Sequence, residues 1–252
     1  MIALTRSVPR SITRCELTHV ERAPIDWSRA DRQHAAYEQV LRGLGCTVQK
    51  LPTLEQHPDS VFVEDTALVF DECAVITRPG AESRRGEIES VVDVLRDHRP
   101  LRFIEAPGTL DGGDVLCIGT DVYVGLSTRS TEDAAQQLAL ALAPFGYAVS
   151  TVTVRDALHL KSLASALPDG RILIDSARVD AGVFDADAIE ICGNERAGAN
   201  VLVIGDTVVC PGAAPRTRDR LEREGYRTAV VDASELAKAE GALTCCSLLL
   251  RD

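Results

Sequence analysis

At 252 residues with 45% apolar positions, the chain can bury one large core or two small ones. A net charge of −11 argues against nucleic acid or an anionic membrane as a general partner, and no apolar run is long enough to span a bilayer. Eight cysteines without CxxC or zinc-finger spacing, and no secretory leader pattern, predict free thiols in a reducing cytoplasm.

In chain order, residues 1–6 read as a short strand. Residues 7–27 have no clean period and several Pro, Arg and Ser residues, which predicts a long loop of the kind that forms lids. Residues 28–44 carry Ala35, Ala36, Val40, Leu41 and Leu44 on one helical face, stopped by Gly45, and residues 46–51 return as a strand. Residues 60–70, the turn Asp71-Glu72 and residues 73–77 predict a hairpin, followed by a helix over 84–97 and a strand over 101–105. The pattern recurs. A second hairpin (113–118 and 122–126) precedes a helix (131–143) and a strand (148–154). A third unit opens with His159, turns at Pro168-Asp169-Gly170, returns through 172–174, and has a short, poorly marked helix over 185–188 before the strand 189–192. The fourth hairpin (200–204 and 207–210) leads to a helix over 216–224 and a strand over 227–231. After a helix near 234–239, residues 241–250 read as a last strand carrying Cys245 and Cys246, with Cys246 on the opposite face as packing.

The polar residues that open these segments are Asp65, Asp111 or Asp114, His159, Asn200 and Cys245, spaced roughly 41 to 48 residues apart, which is repeat-like. The hairpins break strict βαβ alternation, so the expectation is ββαβ units around a common axis, closed into five if residues 1–5 pair with 244–250. The whole chain, 1–252, then forms a single domain. That arrangement brings an aspartate, a histidine and a cysteine to one place. A Cys and a His without metal spacing point to nucleophilic catalysis. The carboxylates Glu64, Asp65 and Asp111 would repel an oxyanion but suit a guanidinium, while Arg84 and Arg129 could grip a carboxylate. A substrate with both groups is arginine or a relative of it.

The stretches Pro58-Asp59-Ser60-Val61-Phe62-Val63-Glu64-Asp65, Arg78-Pro79-Gly80, Leu110-Asp111-Gly112-Gly113-Asp114-Val115, His159-Leu160-Lys161-Ser162 and Leu243-Thr244-Cys245-Cys246-Ser247 closely resemble the dimethylarginine dimethylaminohydrolases of the pentein superfamily. The resemblance implies a five-bladed α/β propeller that hydrolyses Nω-methylated arginine to citrulline and an amine without a cofactor. It makes Cys245 the nucleophile, through a covalent thiouronium intermediate, and His159 the acid and base in turn. It gives Asp65 and Asp111 to the guanidinium, with Asp111 also near the histidine. Asp59 and Glu64 match family binding positions, Arg84 and Arg129 match those for the α-carboxylate, and Leu17 and Ala239 match positions whose backbone touches substrate. No metal is implied; zinc held by Cys245 and His159 would inhibit. The alternatives are an arginine deiminase, disfavoured by Lys161 where that family has an acid, or a non-catalytic propeller that binds ligand. A homodimer is left open.

Overall fold

Fifteen short strands form five separate three-stranded sheets in the computed structural model, which describes residues 1–251. The chain opens with β1 (Ile2–Arg6), α1 (Trp27–Gly43) and β2 (Thr47–Leu51). The second unit is β3 (Ala67–Val69), β4 (Ala74–Ile76), α2 (Glu89–Leu95) and β5 (Leu101–Phe103). The third is β6 (Val115–Ile118), β7 (Asp121–Leu126), α3 (Glu132–Leu142) and β8 (Ala148–Thr153). The fourth has β9 (Ala164–Ala166), β10 (Ile172–Ile174) and β11 (Ala188–Glu190); the fifth has β12 (Leu202–Ile204), β13 (Thr207–Pro211), α4 (Pro215–Arg223) and β14 (Arg227–Val231). The last strand, β15 (Leu248–Leu250), returns to the first unit.

Every sheet has the same plan: the middle strand runs antiparallel to the inner strand and parallel to the outer one, as in β3-β4-β5 and β6-β7-β8. The first sheet is assembled from both ends of the sequence, with Ile2, Ala3 and Leu4 opposite Leu250, Leu249 and Leu248. The predicted closure of five units therefore holds, and the fold is the five-bladed α/β propeller of the penteins.

Residue chemistry explains the blade pattern. Both faces of each sheet are covered by neighbouring blades, so runs such as Ala74-Val75-Ile76 are apolar throughout instead of alternating. The core is accordingly divided into five apolar clusters, one between each pair of consecutive blades; Leu4, Leu248 and Leu250 of the first blade, for example, pack with Ala67, Ala74 and Ile76 of the second. The long crossover helices begin on side-chain caps, Asp26 accepting from Arg29 N at 3.0 Å and Thr131 from Ala134 N at 3.4 Å.

The unit that opens with His159, fourth in the ring, departs from expectation. Residues 185–188 form no helix, because the Asp185-Ala186-Asp187-Ala188 stretch has no apolar stripe to dock. The ring of Phe184 fills the space instead, buried edge-on against Tyr123 at 5.0 Å. The helix expected near 234–239 is a single 3-10 turn, Leu236–Ala239.

Candidate active site

At the axis, each inner strand is reached through one turn of 3-10 helix: Val63–Thr66, Gly112–Asp114, Leu160–Ser162, Arg196–Ala199 and Thr244–Cys246. The sequence predicts strand over four of these turns, which is corrected here; the Arg196–Ala199 turn precedes the strand expected from residue 200. A 3-10 turn rotates successive residues by about 120° rather than 180°, so neighbouring side chains part to different sides of the axis. Consecutive turns touch one another around the ring, and Asn200 closes it. Its amide donates to Thr244 Oγ1 at 3.0 Å and its carbonyl accepts from Thr244 N at 3.1 Å.

On one side of the ring, Asp65, Asp111, His159 and Cys245 line a single small cavity with Asp59, Arg84, Arg129 and Ala239. All four of the central side chains are buried. His159 Nε2 lies 3.0 Å from Asp111 Oδ2 and 3.9 Å from Asp65 Oδ1. Asp111 Oδ1 accepts from Gly80 N at 2.8 Å, and Asp65 accepts from Gly113 N at 2.9 Å and from Arg84 Nη1 at 2.5 Å. The two glycines of Asp111-Gly112-Gly113-Asp114 are steric requirements. A Cβ on Gly113 would sit 2.5 Å from His159 Nδ1, and one on Gly112 would sit 2.0 Å from the Glu64 carbonyl oxygen.

The electrostatics divide the site into opposed partners. Burial alone would push His159 down, but the carboxylates of Asp65, Asp111 and Asp114 overturn that and raise it from 6.5 to about 9. Burial would raise Asp65, yet His159, Arg84 and the Gly113 N–H hold it down at about 2. The Cys245 thiol is pushed well up, first by burial and then by the carboxylates of Glu64 and Asp65. At neutral pH the resting pair is a neutral thiol and an imidazolium.

Several expected residues sit elsewhere than anticipated. Glu64 is turned away from Asp65 and faces a second cavity behind the ring, where it pairs with Lys161 Nζ at 2.7 Å and accepts from Thr244 Oγ1 at 2.7 Å. It is not among the residues lining the cavity of Cys245. Thr244 and Cys245 split the same way, which the 3-10 geometry explains for both pairs. Arg84 lines the front cavity, but its guanidinium is locked to Glu87, Asp65 and the carbonyls of Phe62 and Asp59, which leaves one Nη1 N–H. Leu17 is half-buried in the apolar cluster between the fifth and first blades, and its neighbour Glu16 reaches the cavity instead. Asp59 and Ala239 line the cavity as expected, with Asp59 Oδ2 accepting from Glu16 N at 3.2 Å. Cys246 occupies the core and its Sγ contacts the Ala242 carbonyl at 3.4 Å. The eight thiols are all free.

Among the described residues, the His, Cys, Asp and Glu side chains whose ligand atoms converge are Asp65, Asp111 and His159, within 4.8 Å of one another, without Cys245. These three side chains are engaged with one another and, through Asp65, with Arg84. Among the described residues no helix is long and apolar enough to cross a membrane.

A profile of the eukaryotic N,N dimethylarginine dimethylhydrolases matches residues 19–165, more than half of the chain. The N(G),N(G)-dimethylarginine dimethylaminohydrolase of Streptomyces coelicolor is 38% identical over 252 residues, spanning 99% of this chain and 97% of that protein, and the Pseudomonas aeruginosa enzyme of the same name is 39% identical over 226 residues, spanning 88% and 89%. The chain belongs to the dimethylarginine dimethylaminohydrolase family. Solved structures agree with that membership. A cysteine-to-serine variant of the P. aeruginosa dimethylarginine dimethylaminohydrolase bound to citrulline superposes with a TM-score of 0.92 at 36% identity, covering 98% of this chain and 97% of that one. A histidine-to-glycine variant of a dimethylarginine dimethylaminohydrolase, an adduct with S-methyl-L-thiocitrulline, also gives 0.92. The N-terminal domain of the arginine dihydrolase ArgZ shares the fold, with a TM-score of 0.82 at 18% identity.

Three residues that the sequence singled out without giving them a place in the site hold this dimethylarginine dimethylaminohydrolase site together: Asn200, which ties the turn of Cys245 to the ring; Lys161, partner of Glu64; and Asp114, hydrogen-bonded behind His159. The repeat spacing marked Asn200 and, as the alternative to Asp111, Asp114. The contacts that give all three their roles arise only in the closed ring.

Proposed function

We propose that this chain hydrolyses Nω-methylated L-arginine to citrulline and methylamine or dimethylamine, with Cys245 as nucleophile and His159 as acid and base. The convergence of Cys245, His159, Asp65 and Asp111 from four different blades on one cavity carries the reading. The guanidinium lies between Asp65 and Asp111, which match its charge and offer acceptors. Cys245 Sγ attacks the guanidinium carbon, a C–S bond forms, and the C–N bond to the methylated nitrogen breaks as His159 gives that nitrogen its proton. Water then attacks the thiouronium carbon, its proton passing to His159, and the C–S bond breaks to release citrulline and restore the thiolate. Arg129 takes the α-carboxylate with the one spare Nη1 N–H of Arg84, whose main task is to hold Asp65. Asp59 and the backbone at Ala239 border the amino-acid end of the substrate.

The substrate is itself part of the activation. Cys245 is a neutral thiol at rest, held so by burial and by the carboxylates of Glu64 and Asp65; a bound cation favours the thiolate, and because His159 is already protonated the thiol proton leaves to solvent and is regained from solvent once citrulline has departed. A thiol titration that comes out the same with and without a substrate analogue would remove this step.

The deciding experiment incubates the protein separately with asymmetric dimethylarginine and with arginine, and quantifies citrulline and released amine. Citrulline with equimolar dimethylamine from the first is expected. Citrulline from arginine alone would turn the reading to a deiminase. Cys245→Ser should abolish turnover, whereas Cys246→Ser, which alters a packed thiol in the core, should keep most of it.

A further inference from the structure

Asp114 is fully buried, lies one residue past the 112–113 glycines, and touches none of the cavity that holds Cys245. Its carboxylate nevertheless accepts three hydrogen bonds, each leading to a different part of the site. Oδ1 accepts from Leu160 N at 2.9 Å, which fixes the backbone immediately after His159. Oδ2 accepts from Ser130 Oγ at 2.7 Å, and that hydroxyl in turn accepts from Asp111 N at 3.1 Å. Oδ2 also accepts from Ser127 Oγ at 2.6 Å, and that hydroxyl accepts from Arg129 N at 2.9 Å and, at 3.3 Å, from Ser130 N. Space is reserved for the arrangement, since a Cβ on Gly125 would lie 2.8 Å from both Asp114 Oδ1 and the Leu160 Cβ.

We propose that Asp114 is a positioning residue that sets His159, Asp111 and Arg129 relative to one another, so that the groups facing the guanidinium and the group facing the α-carboxylate are held from one buried carboxylate. The assignment rests on the methylarginine reading for what the three residues do, but its wiring is independent of that reading. The direction of each bond makes the carboxylate necessary. Both serine hydroxyls donate to Asp114 while accepting from a backbone N–H. An asparagine of the same shape can keep the bond from Leu160 N only by aiming its NH2 at the two serines, which leaves both hydroxyl protons without their acceptor in a buried site.

The two serines separate the branches. With dimethylarginine, Ser127→Ala should raise KM roughly tenfold with kcat nearly unchanged, because it frees the Arg129 backbone and removes only a longer 3.3 Å bond from Ser130 N, leaving Ser130 Oγ on Asp114 and Asp111. The same variant should leave kcat/KM unchanged for an N,N-dimethyl-N′-alkylguanidine, which has no carboxylate for Arg129. Ser130→Ala should lower kcat roughly tenfold on both substrates, because it frees Asp111. Asp114→Asn should show both losses. A second readout needs no turnover. The imidazole of His159 faces Asp65 and Asp111, with Asp114 behind it and Cys245 in the same cavity. Its NMR titration should move downward by about one unit in Ser130→Ala and Asp114→Asn but stay in place in Ser127→Ala. If the wild type turns over no methylarginine, the proposed function fails and the titration still decides the wiring. Serine variants that behave alike in both readouts would overturn the proposal, and they decide it even if Asp114→Asn does not fold.

Discussion

His159 is an imidazole surrounded by carboxylates, and this sets a pH signature that a solvent-exposed histidine would lack. Its value rises from 6.5 in the unfolded chain to about 9 in the fold, so its contribution to stability is complete below 6.5 and is lost as pH climbs through 9. Asp65 has the opposite sign: depressed from 3.8 to about 2, it stabilises the fold above 3.8 and ceases to do so as pH falls through 2. The thermal midpoint of the wild type should therefore decline between pH 6.5 and 9, and His159→Gln should flatten that decline. Equal slopes in the two proteins would show that the imidazole is not held protonated by its neighbours. The identities of these residues were legible in the sequence because four of them recur at the repeat spacing. Their orientations were not. Glu64 and Asp65 are chemically alike and adjacent, and only the 3-10 turn decides that one meets Lys161 and the other His159. Cys246 illustrates the same point: it does pack in the core as expected, but through the rotation of a 3-10 turn and not by strand alternation.

At the scale of elements, the segment between β1 and α1, proposed as a lid, borders the candidate site through Glu16. The sequence marked residues 7–27 as a loop, and the structure adds a 3-10 turn, Arg10–Arg14, followed by chain without regular structure up to Trp27. What holds it could not be read from the sequence, because its partners lie far away along the chain. Glu240 accepts from Thr18 N at 2.7 Å and His19 N at 2.5 Å across more than two hundred residues. It does so from a left-handed backbone with φ of 57°, the conformation in which glycine is least strained. Glu16 faces Arg129 at 3.6 Å, so this lid places an acid against the guanidinium proposed to hold the substrate carboxylate. The two acids should therefore act in opposite directions. Glu240→Gly keeps the backbone shape and releases the lid, which should raise KM several-fold and speed hydrogen exchange at the Thr18 and His19 amides. Glu16→Gln removes the competing anion and should lower KM. Steady-state kinetics on dimethylarginine read both, and shifts of the same sign would show that the lid does not share Arg129 with the substrate.

For the molecule as a whole, the arrangement that matters is the joint between β1 and β15. The number of blades and this closure were legible because hairpin, crossover and return strand repeat in order, and because the first and last apolar runs had no other partners in that count. The joint also bears on the proposed chemistry: β15 follows the turn that carries Cys245, so the position of the proposed nucleophile depends on a strand whose partner is at the other end of the chain. Leu4 sits there opposite Leu248, fully buried, and packs across to Ala67, Ala74 and Ile76 of the second blade. Leu4→Ala should cost about 2–5 kcal/mol through lost burial and the cavity left behind. Because each blade packs on the next around a closed ring, the loss should appear as a lower urea midpoint with an unchanged slope and coincident transitions by fluorescence and circular dichroism. A closed ring has no end blade to fray. Two separated transitions in Leu4→Ala, with the first removing the β1–β15 pairing alone, would show instead that the blades unfold one at a time and that Cys245 is held by its own blade.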